Sequence, residues 1–184
     1  MEDISYLTET RFSDLALDER LLSGLTDAGF DFCTKIQAES LPIALTGQDV
    51  AGQAQTGTGK TAAFLLAIFN HLLKNPKPES ATPTSIRSLV LAPTRELAIQ
   101  IHRDAEVLSK STGLKLGLAY GGTDYQQQRE TLAAGVDVLI GTPGRLIDFY
   151  KQDVFDLKAA QVLVLDEAAR MFDLGFIKDI RYIL

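Results

Sequence analysis

The sequence predicts an α/β domain in which a parallel β-sheet is covered by helices on both faces. Short, nearly continuous apolar runs that contain β-branched residues alternate along the chain with longer segments of helical periodicity. A strand that is apolar at every position has both faces buried, which is typical of a parallel sheet between layers of helices. The composition agrees, because 46% of the 184 residues are hydrophobic and a chain of this length can bury a proper core.

The predicted elements alternate in order along the chain. The predicted strands are Asp49–Gly52, Ser88–Ala92, Lys115–Ala119, Val136–Ile140 and Val162–Leu165. The predicted helices are 18–28, 35–46, 60–74, 95–111, 124–134 and 143–151. Gly29 and Gly47 follow the first two helices, where glycine commonly ends a helix, and the proline-rich stretch Asn75–Ser85 is predicted to be a surface loop. A last helical pattern begins near Gly175 and is still running at Leu184, so we expect a piece of a longer protein.

The bulk properties exclude several classes of protein. A single cysteine, Cys33, excludes an internal disulfide and favours a reducing compartment. The N-terminal residues lack the apolar stretch of a signal peptide, and no apolar run is long enough to span a bilayer, so we expect a cytoplasmic location. The net charge of −6 argues against a broad basic surface for nucleic acid, although a narrow track of contacts stays open.

A glycine-rich segment between a predicted strand and a predicted helix is suited to binding phosphate. Consecutive backbone N–H groups in such a turn, together with a helix N-terminus, can surround an anion. Gly57 and Gly59 permit the tight turn, while Lys60 can reach the outer phosphates and the Thr61 hydroxyl can ligate Mg²⁺. Ala54 stands where the usual pattern has glycine, so a turn that binds nothing is the alternative. The candidate nucleotide-binding residues are Ala54, Gln55, Thr56, Gly57, Thr58, Gly59, Lys60 and Thr61.

Two carboxylates, Asp166 and Glu167, follow the apolar strand Val162–Leu165. Beside a phosphate-binding loop, Asp166 would hold the metal ion, and Glu167 would orient or deprotonate the attacking water. The candidate catalytic residues are therefore Lys60, Asp166 and Glu167, and the candidate metal ligands are Thr61 and Asp166. The alternative is that both carboxylates only complement the dipole of a helix that starts there.

The ordered set of motifs resembles the first RecA-like domain of the DEAD-box RNA helicases. That family shows Asp-Glu-Ala-Asp where this chain has Asp166-Glu167-Ala168-Ala169. The other matching segments are Ala54–Thr61, Pro93–Leu97, Gly121–Gly122, Gln128, Thr142–Leu146, Arg170–Met171 and Asp173–Phe176. The resemblance implies a RecA-like P-loop fold over 35–184, preceded by an extension over 1–34. Within the family, Ala51–Thr61, Gly113–Gly122 and Gly175–Arg181 look most like the bacterial helicase that joins an RNA-degradation assembly.

The resemblance also implies an adenine pocket. Gln37 can donate and accept hydrogen bonds at once, which suits the edge of adenine. The family pairs such a glutamine with an upstream aromatic residue that stacks on the base, a role that falls to Phe12. Phe30 and Thr34 are expected to flank the same pocket, and Lys35 replaces the usual proline. The alternatives are core packing for the two phenylalanines and a solvated helix position for Gln37.

Three loops are expected to contact RNA through phosphate and sugar, which carries no sequence information. Arg95 and Arg145 would supply charge, and Thr94 and Thr142 would supply hydroxyls. The full set of candidate RNA-binding residues is Pro93, Thr94, Arg95, Gly121, Gly122, Gln128, Thr142, Gly144 and Arg145. The alternatives are that both threonines, with Pro143, only start helices, and that Arg95 forms an internal ion pair.

The resemblance implies that the parent protein is an ATP-dependent RNA helicase, which couples Mg-ATP binding and hydrolysis to RNA binding and local duplex unwinding. The expected partners are RNA, a second RecA-like domain and, from the narrower resemblance, RNA-degradation proteins, with no membrane. Ala169 replaces a family aspartate. In the family, the second domain supplies arginines, and a missing arginine of that kind lowers turnover by a factor of about 10³–10⁵. We therefore expect this chain alone to bind nucleotide weakly and not to unwind RNA. The alternatives are a non-catalytic module that binds RNA or a helicase, and another phosphate-loop NTPase with a guanine preference. His71 and His102 lack partners at metal-ligand spacing and have no predicted role, and Cys33 is expected to be a buried or pocket-wall thiol.

Overall fold

The computed structural model describes residues 6–122 and 124–183. These residues form two compact units. The first unit comprises the described part of Met1–Pro76 together with Asp104–Gly113, and the second comprises Lys77–Arg103 and the described part of Leu114–Leu184. No helix within these described ranges is long and apolar enough to cross a membrane. The predicted domain bounds, 1–34 and 35–184, stay a prediction.

The first unit contains a small antiparallel sheet and three helices. Its elements are β1 (Leu7–Arg11), a 3₁₀ turn (Phe12–Asp14), α1 (Glu19–Asp27), β2 (Phe32–Thr34), α2 (Lys35–Ala44) and α3 (Lys60–Lys74). The pairing of β1 with β2 was not predicted from the sequence. β1 has one apolar residue, Leu7, among five, and β2 has only three residues, so neither segment shows the alternation that marks a strand.

Helix α3 lies at the centre of the first unit and packs against α1 and α2. Its buried side chains lie on most sides of the helix; they are Ala63, Leu65, Leu66, Ile68, Phe69, Asn70 and Leu72. The prediction of a buried helix over 60–74 is therefore confirmed. Asn70, although polar, is only 1% exposed, and its side-chain oxygen accepts a hydrogen bond from the Asp18 N–H at 2.8 Å. Asp18 in turn caps α1 by accepting from the Arg20 N–H.

The two predicted glycine stops are confirmed. Gly29 and Gly47 have φ values of +77° and +83°, in the left-handed region that glycine enters at little cost. The Gly29 N–H donates to Thr26 O, and the Gly47 N–H donates to Ala44 O. These bonds satisfy carbonyl groups that the ends of α1 and α2 would otherwise leave unpaired.

The predicted strand Asp49–Gly52 is wrong. These four described residues adopt no regular secondary structure and are all exposed. The segment has only two apolar side chains, Val50 and Ala51, and ends in glycine, which weakens a strand. A strand this short depends on hydrogen bonds and packing from a neighbouring strand, a condition that the local sequence cannot report.

The second unit contains the parallel sheet. Its elements are β3 (Ser88–Leu91), residues 95–103 of α4 (Arg95–Ser109), β4 (Leu116–Ala119), α5 (Tyr125–Ala133), β5 (Val138–Gly141), α6 (Pro143–Lys151), β6 (Val162–Leu165), α7 (Ala168–Asp173) and α8 (Ile177–Ile183). The strand order is β4-β5-β3-β6, and every pairing is parallel. The predicted fold class, a parallel sheet flanked by helices, is confirmed.

Register places the carboxyl ends of all four strands at one edge of the sheet. Leu91 at the end of β3 is aligned with Gly141 on β5 and with Leu165 on β6, and Ala119 on β4 is aligned with the same Gly141. Loops that follow these strands therefore start side by side. Every residue of β3 and β5 is buried. β6, at the end of the strand order, is less covered than predicted, because Leu163 and Leu165 are each 38% exposed.

Candidate nucleotide and nucleic-acid sites

The predicted phosphate loop lies in the first unit, directly before α3. Gly57 and Gly59 have φ values of +81° and +89°, so both need the conformational freedom of glycine. The Thr58 hydroxyl donates to Gln55 O at 2.6 Å and closes the turn. Gly59 occupies the N-cap of α3 and provides no side-chain cap. The first N–H groups of the helix are therefore left for an anion.

Gln37 ties α2 to this loop. Its side chain is 5% exposed; Oε1 accepts from the Thr34 N–H at 2.9 Å, and Nε2 donates to Gly59 O at 3.1 Å. The alternative of a solvated helix position is therefore wrong. A Cβ added at Gly59 would collide with Gln37 Nε2 and would come within 3.0 Å of Thr34 Oγ1. Thr34 Oγ1 is buried and lies in a capping box with Gln37, and its hydroxyl has no acceptor among the described residues, which leaves the O–H available to a ligand.

The two candidate aromatic residues differ in exposure. Phe12 is 3% exposed, as its core-packing alternative expects, whereas Phe30 is 52% exposed. Phe30 therefore presents an open aromatic face without any rearrangement. The stacking role of Phe12 stays a prediction, and it requires that this ring be uncovered when nucleotide binds.

The two candidate acidic residues lie at the carboxyl end of β6 in the second unit. The Asp166 N–H donates to Leu91 O at 3.0 Å and so extends the sheet by one bond, while Asp166 Oδ1 accepts from the Glu167 N–H at 3.0 Å. Glu167 has φ +49° and pairs with Arg170 at 3.2 Å. It occupies the N-cap of α7 but forms no side-chain cap. The catalytic and metal roles of Lys60, Thr61, Asp166 and Glu167 stay predictions.

The loop after β3 presents Arg95 to solvent. Pro93 is buried, whereas Arg95 is exposed at the first position of α4. The Thr94 hydroxyl accepts from the Leu97 N–H at 3.3 Å, so Thr94 does start the helix, and its contact with RNA stays a prediction. The Arg95 guanidinium carbon lies 4.8 Å from the centre of the Tyr120 ring. Arg95 is therefore held by an aromatic face that belongs to the neighbouring loop.

Gln128 connects the loop after β4 with the start of α6. Its Oε1 accepts from the Tyr120 N–H at 3.1 Å and from Arg145 NH1 at 2.9 Å. Gln128 is only 7% exposed and its amide holds Arg145, while its predicted contact with RNA stays a prediction. Gly121 and Gly122 are exposed, and a Cβ at Gly122 would lie 3.6 Å from Arg95 NH1.

The loop after β5 leads directly into α6. The Thr142 N–H donates to Ala119 O at 3.0 Å, and Pro143 occupies the first turn of the helix, as predicted. Thr142 is the N-cap residue, but its hydroxyl forms no capping bond. Gly144 is exposed with open space around it. Arg145 lies over two rings, 4.8 Å from the centre of Tyr125 and 5.3 Å from that of Phe149.

The structure thus brings the three predicted loops to one edge of one sheet. It also reveals two tyrosines, Tyr120 and Tyr125, that support the two arginines. The sequence shows both tyrosines beside the Gly121-Gly122 pair, but their contacts with α4 and α6 depend on the tertiary fold. Arg95 is exposed and Arg145 is half-buried; arginine side chains and backbone N–H groups are common donors to nucleic-acid phosphates.

A glycine-rich loop before a buried helix, and a parallel sheet whose strands end in polar loops, define a P-loop α/β domain of the RecA-like class. A family model described as "DEAD/DEAH box helicase" matches residues 34–184. The chain belongs to this family, and the resemblance seen in its motifs is confirmed.

Curated relatives show the same likeness over almost the whole chain. Proteins named "ATP-dependent RNA helicase RhlB" from Aliivibrio salmonicida and Psychromonas ingrahamii are each 62% identical to it over 179 residues, or 97% of this chain. The protein of that name from Vibrio vulnificus is also 62% identical. This chain covers 41% of the first relative and 43% of the second, so it spans about two fifths of their length.

Proposed function

We propose that this chain is the ATP-binding domain of an ATP-dependent RNA helicase, which couples Mg-ATP binding and hydrolysis to RNA binding and local unwinding. The observation that carries the proposal is the gathering of Arg95, Arg145 and the Gly121-Gly122 pair at the carboxyl edge of one parallel sheet. The names of the curated relatives support ATP and RNA as ligands.

ATP is proposed to bind at the loop before α3. The uncapped N-terminus of α3 and the backbone of residues 54–59 suit phosphate oxygens, and Lys60 adds a positive charge. Gln37 and Thr34 are proposed to recognise adenine beside Phe30 and Phe12. Thr34 Oγ1, buried without a partner among the described residues, fits this role.

Mg²⁺ is proposed to bind through the Thr61 hydroxyl and Asp166. Mg²⁺ takes oxygen ligands and is usually held by one or two protein groups plus phosphate and water. The donor set fits, because a hydroxyl and a carboxylate both offer the oxygen ligands that Mg²⁺ takes. When bound, the ion neutralises charge on the phosphates. Glu167 is proposed to orient the attacking water.

RNA is proposed to be held by its backbone. Arg95 and Arg145 supply charge, Thr94 and Thr142 supply hydroxyls, and the exposed glycines allow close approach. The net charge of −6 confines attraction to this edge and opposes indiscriminate binding. Proposed partners are a second RecA-like domain and RNA-degradation proteins. The single cysteine and an RNA ligand favour a cytoplasmic location.

Ala169 sets the expected level of activity. It stands where the family motif has aspartate, so we propose that this chain alone binds ATP weakly and does not separate RNA strands. The same residue is the one observation that favours a second function, a non-catalytic module that binds RNA or a helicase. Binding of ATP separates the two proposals.

Nucleotide binding is tested with a fluorescent ATP analogue and Mg²⁺. We expect displacement by ATP rather than GTP, and Lys60→Ala should weaken binding roughly ten- to hundredfold, the worth of a charge-assisted hydrogen bond. Glu79→Gln, on an exposed loop, is the control and should bind normally. In this titration, absence of ATP binding would favour the non-catalytic module, and preferential displacement by GTP would favour another NTPase. In an unwinding assay, strand separation by this chain alone would overturn the proposed low activity.

RNA binding is tested by fluorescence anisotropy with a labelled single-stranded oligouridine over a range of salt concentrations. Arg145→Ala should lower the affinity and reduce the slope of log K against log salt by about 0.7, because one phosphate contact is lost. Arg181→Ala, which removes an exposed arginine from α8, is the matched control. Equal effects of the two substitutions would count against the proposed interface.

A further inference from the structure

The guanidinium group of Arg145 is held from several directions. Its NH1 donates to Gln128 Oε1 at 2.9 Å, and its carbon lies over the rings of Tyr125 and Phe149. These two rings are 5.1 Å apart and tilted by 57°, so they form one aromatic corner on α5 and α6. Phe149 is fully buried, whereas Tyr125 is 37% exposed. Tyr125 is therefore the ring at the surface beside Arg145.

The Tyr125 ring is itself fixed by a chain of polar contacts. Its hydroxyl accepts from Gln152 Nε2 at 2.7 Å. Gln152 also accepts from Arg129 NH1 at 2.7 Å and donates to Asp148 Oδ1 at 2.9 Å. Three side chains from α5, α6 and the residue after α6 thus determine where the tyrosine hydroxyl lies.

This geometry leaves Arg145 able to bind an anion. An aromatic ring attracts the face of a guanidinium group, while the N–H donors point outward in its plane. With one N–H bonded to Gln128 and one face on Tyr125, the remaining donors are oriented before any ligand arrives. Orienting an arginine in advance reduces the ordering cost of each hydrogen bond that it forms with phosphate.

We propose that Tyr125 is a positioning residue for RNA binding, which acts by holding the guanidinium of Arg145 toward the RNA backbone. The proposal rests on the proposed function of this interface. Ordinary packing between α5 and α6 would also use an aromatic residue at position 125, so the test must separate the two roles.

The test measures the affinity of the full chain for labelled oligouridine in a double-mutant cycle. Tyr125→Leu and Tyr125→Gln should each raise the Kd about two- to fivefold, the worth of an exposed cation–π contact. Tyr125→Phe keeps the ring and should restore most of the affinity. In the Arg145→Ala background, Tyr125→Leu should have no further effect, because coupled residues are not additive.

Tyr182→Leu is the matched control. Tyr182 lies on α8, is 55% exposed, and has the Lys151 Nζ 4.9 Å from the centre of its ring. It should leave RNA affinity unchanged. Nucleotide affinity and far-ultraviolet circular dichroism report whether each variant is folded. If Tyr125→Leu fails to fold, Tyr125→Gln takes its place in the cycle. If both fail to fold, the cycle is run with Gln152→Ala, which should lower the RNA affinity by less and should have no further effect in the Arg145→Ala background.

The possible outcomes distinguish failure of the Tyr125 proposal from failure of the proposed RNA interface. If Arg145→Ala leaves RNA affinity unchanged, the proposed interface fails. If Arg145→Ala weakens binding but the Tyr125 variants do not, or if their effects add to that of Arg145→Ala, Tyr125 is a packing residue and the inference is overturned.

Discussion

The side-chain amide of Gln37 donates to the carbonyl oxygen of Gly59 at 3.1 Å and so joins α2 to the last residue of the phosphate loop. The other end of the same amide accepts from the Thr34 N–H at 2.9 Å. Gln37 is almost fully buried and is itself the residue predicted to read adenine. Its side chain therefore links the phosphate loop to the predicted adenine pocket.

Gly59→Ala is expected to weaken nucleotide binding strongly. The new Cβ would collide with Gln37 Nε2 and would also require a φ of +89° from alanine. Gly57→Ala is the matched control, since it imposes similar strain at φ +81° but meets nothing within 4 Å. It should therefore weaken binding less, as measured by titration with a fluorescent ATP analogue. Equal losses in the two variants would show that backbone strain alone, and not contact with Gln37, explains the effect.

Asn70→Ala is expected to lower the free energy of unfolding by about 1–3 kcal/mol, because it leaves the Asp18 N–H without its partner. Asn75→Ala provides the comparison at the exposed end of α3, where it removes a hydrogen bond to His71 O that water can replace, and should change the free energy of unfolding by about 1 kcal/mol or less. Urea denaturation followed by circular dichroism measures both values. A cost for Asn70→Ala no larger than that for Asn75→Ala would contradict the structural role of the buried amide.

Asp18 should make a pH-dependent contribution to stability. The hydrogen bond from the Arg20 side chain is the main cause that lowers the pKa of Asp18 from 3.8 to about 2. Burial opposes this shift, and the hydrogen bond from the Arg20 backbone N–H adds to it. Since the carboxylate is favoured in the folded state, its contribution is complete above pH 3.8 and is lost as the pH falls through about 2. The difference in unfolding free energy between the wild type and Asp18→Asn should therefore shrink over this range. Arg20→Gln should remove most of that pH dependence, and its persistence in Arg20→Gln would exclude Arg20 as the cause.

Cys33 should react slowly with alkylating reagents in the folded protein. Burial, with a smaller effect from the Asp14 charge, raises the pKa of the Cys33 thiol from 9.0 to about 11. The reactive thiolate is therefore scarce at pH 8 and increases only as the pH approaches 11. Because Cys33 is the only cysteine, the rate of iodoacetamide labelling, measured by mass spectrometry with and without urea, reports on this site alone. Similar rates in the two conditions would contradict its burial.

Several elements could be predicted from the sequence because their signals are local. β6 and α6 have the predicted bounds, Val162–Leu165 and Pro143–Lys151. A continuous run of branched apolar residues marks the strand, and proline at the first turn marks the helix start. α3 also matches the prediction over 60–74, since a glycine precedes it and apolar residues cover most of its surface.

Other features depend on partners that are distant in the sequence. Asp49–Gly52 is predicted to be a strand but forms none, and β1 forms a strand despite four polar residues out of five. In both cases the outcome depends on whether another segment offers hydrogen bonds, and that information lies outside the segment. The sequence predicts a helix start after Asp166 and Glu167 only as the alternative to their catalytic roles, and α7 does begin at Ala168.

The sequence by itself determined the chemistry available to this protein: the α/β class, the phosphate loop, the two carboxylates and the arginines that follow strand ends. The tertiary structure alone decided how these groups are held. Gln37 bonds to Gly59 across 22 positions, and Tyr125 on α5 lies under Arg145 on α6 because the fold brings these side chains into contact. Residue identity sets which bonds and charges are possible, whereas their orientation and burial arise only when the chain brings remote segments together.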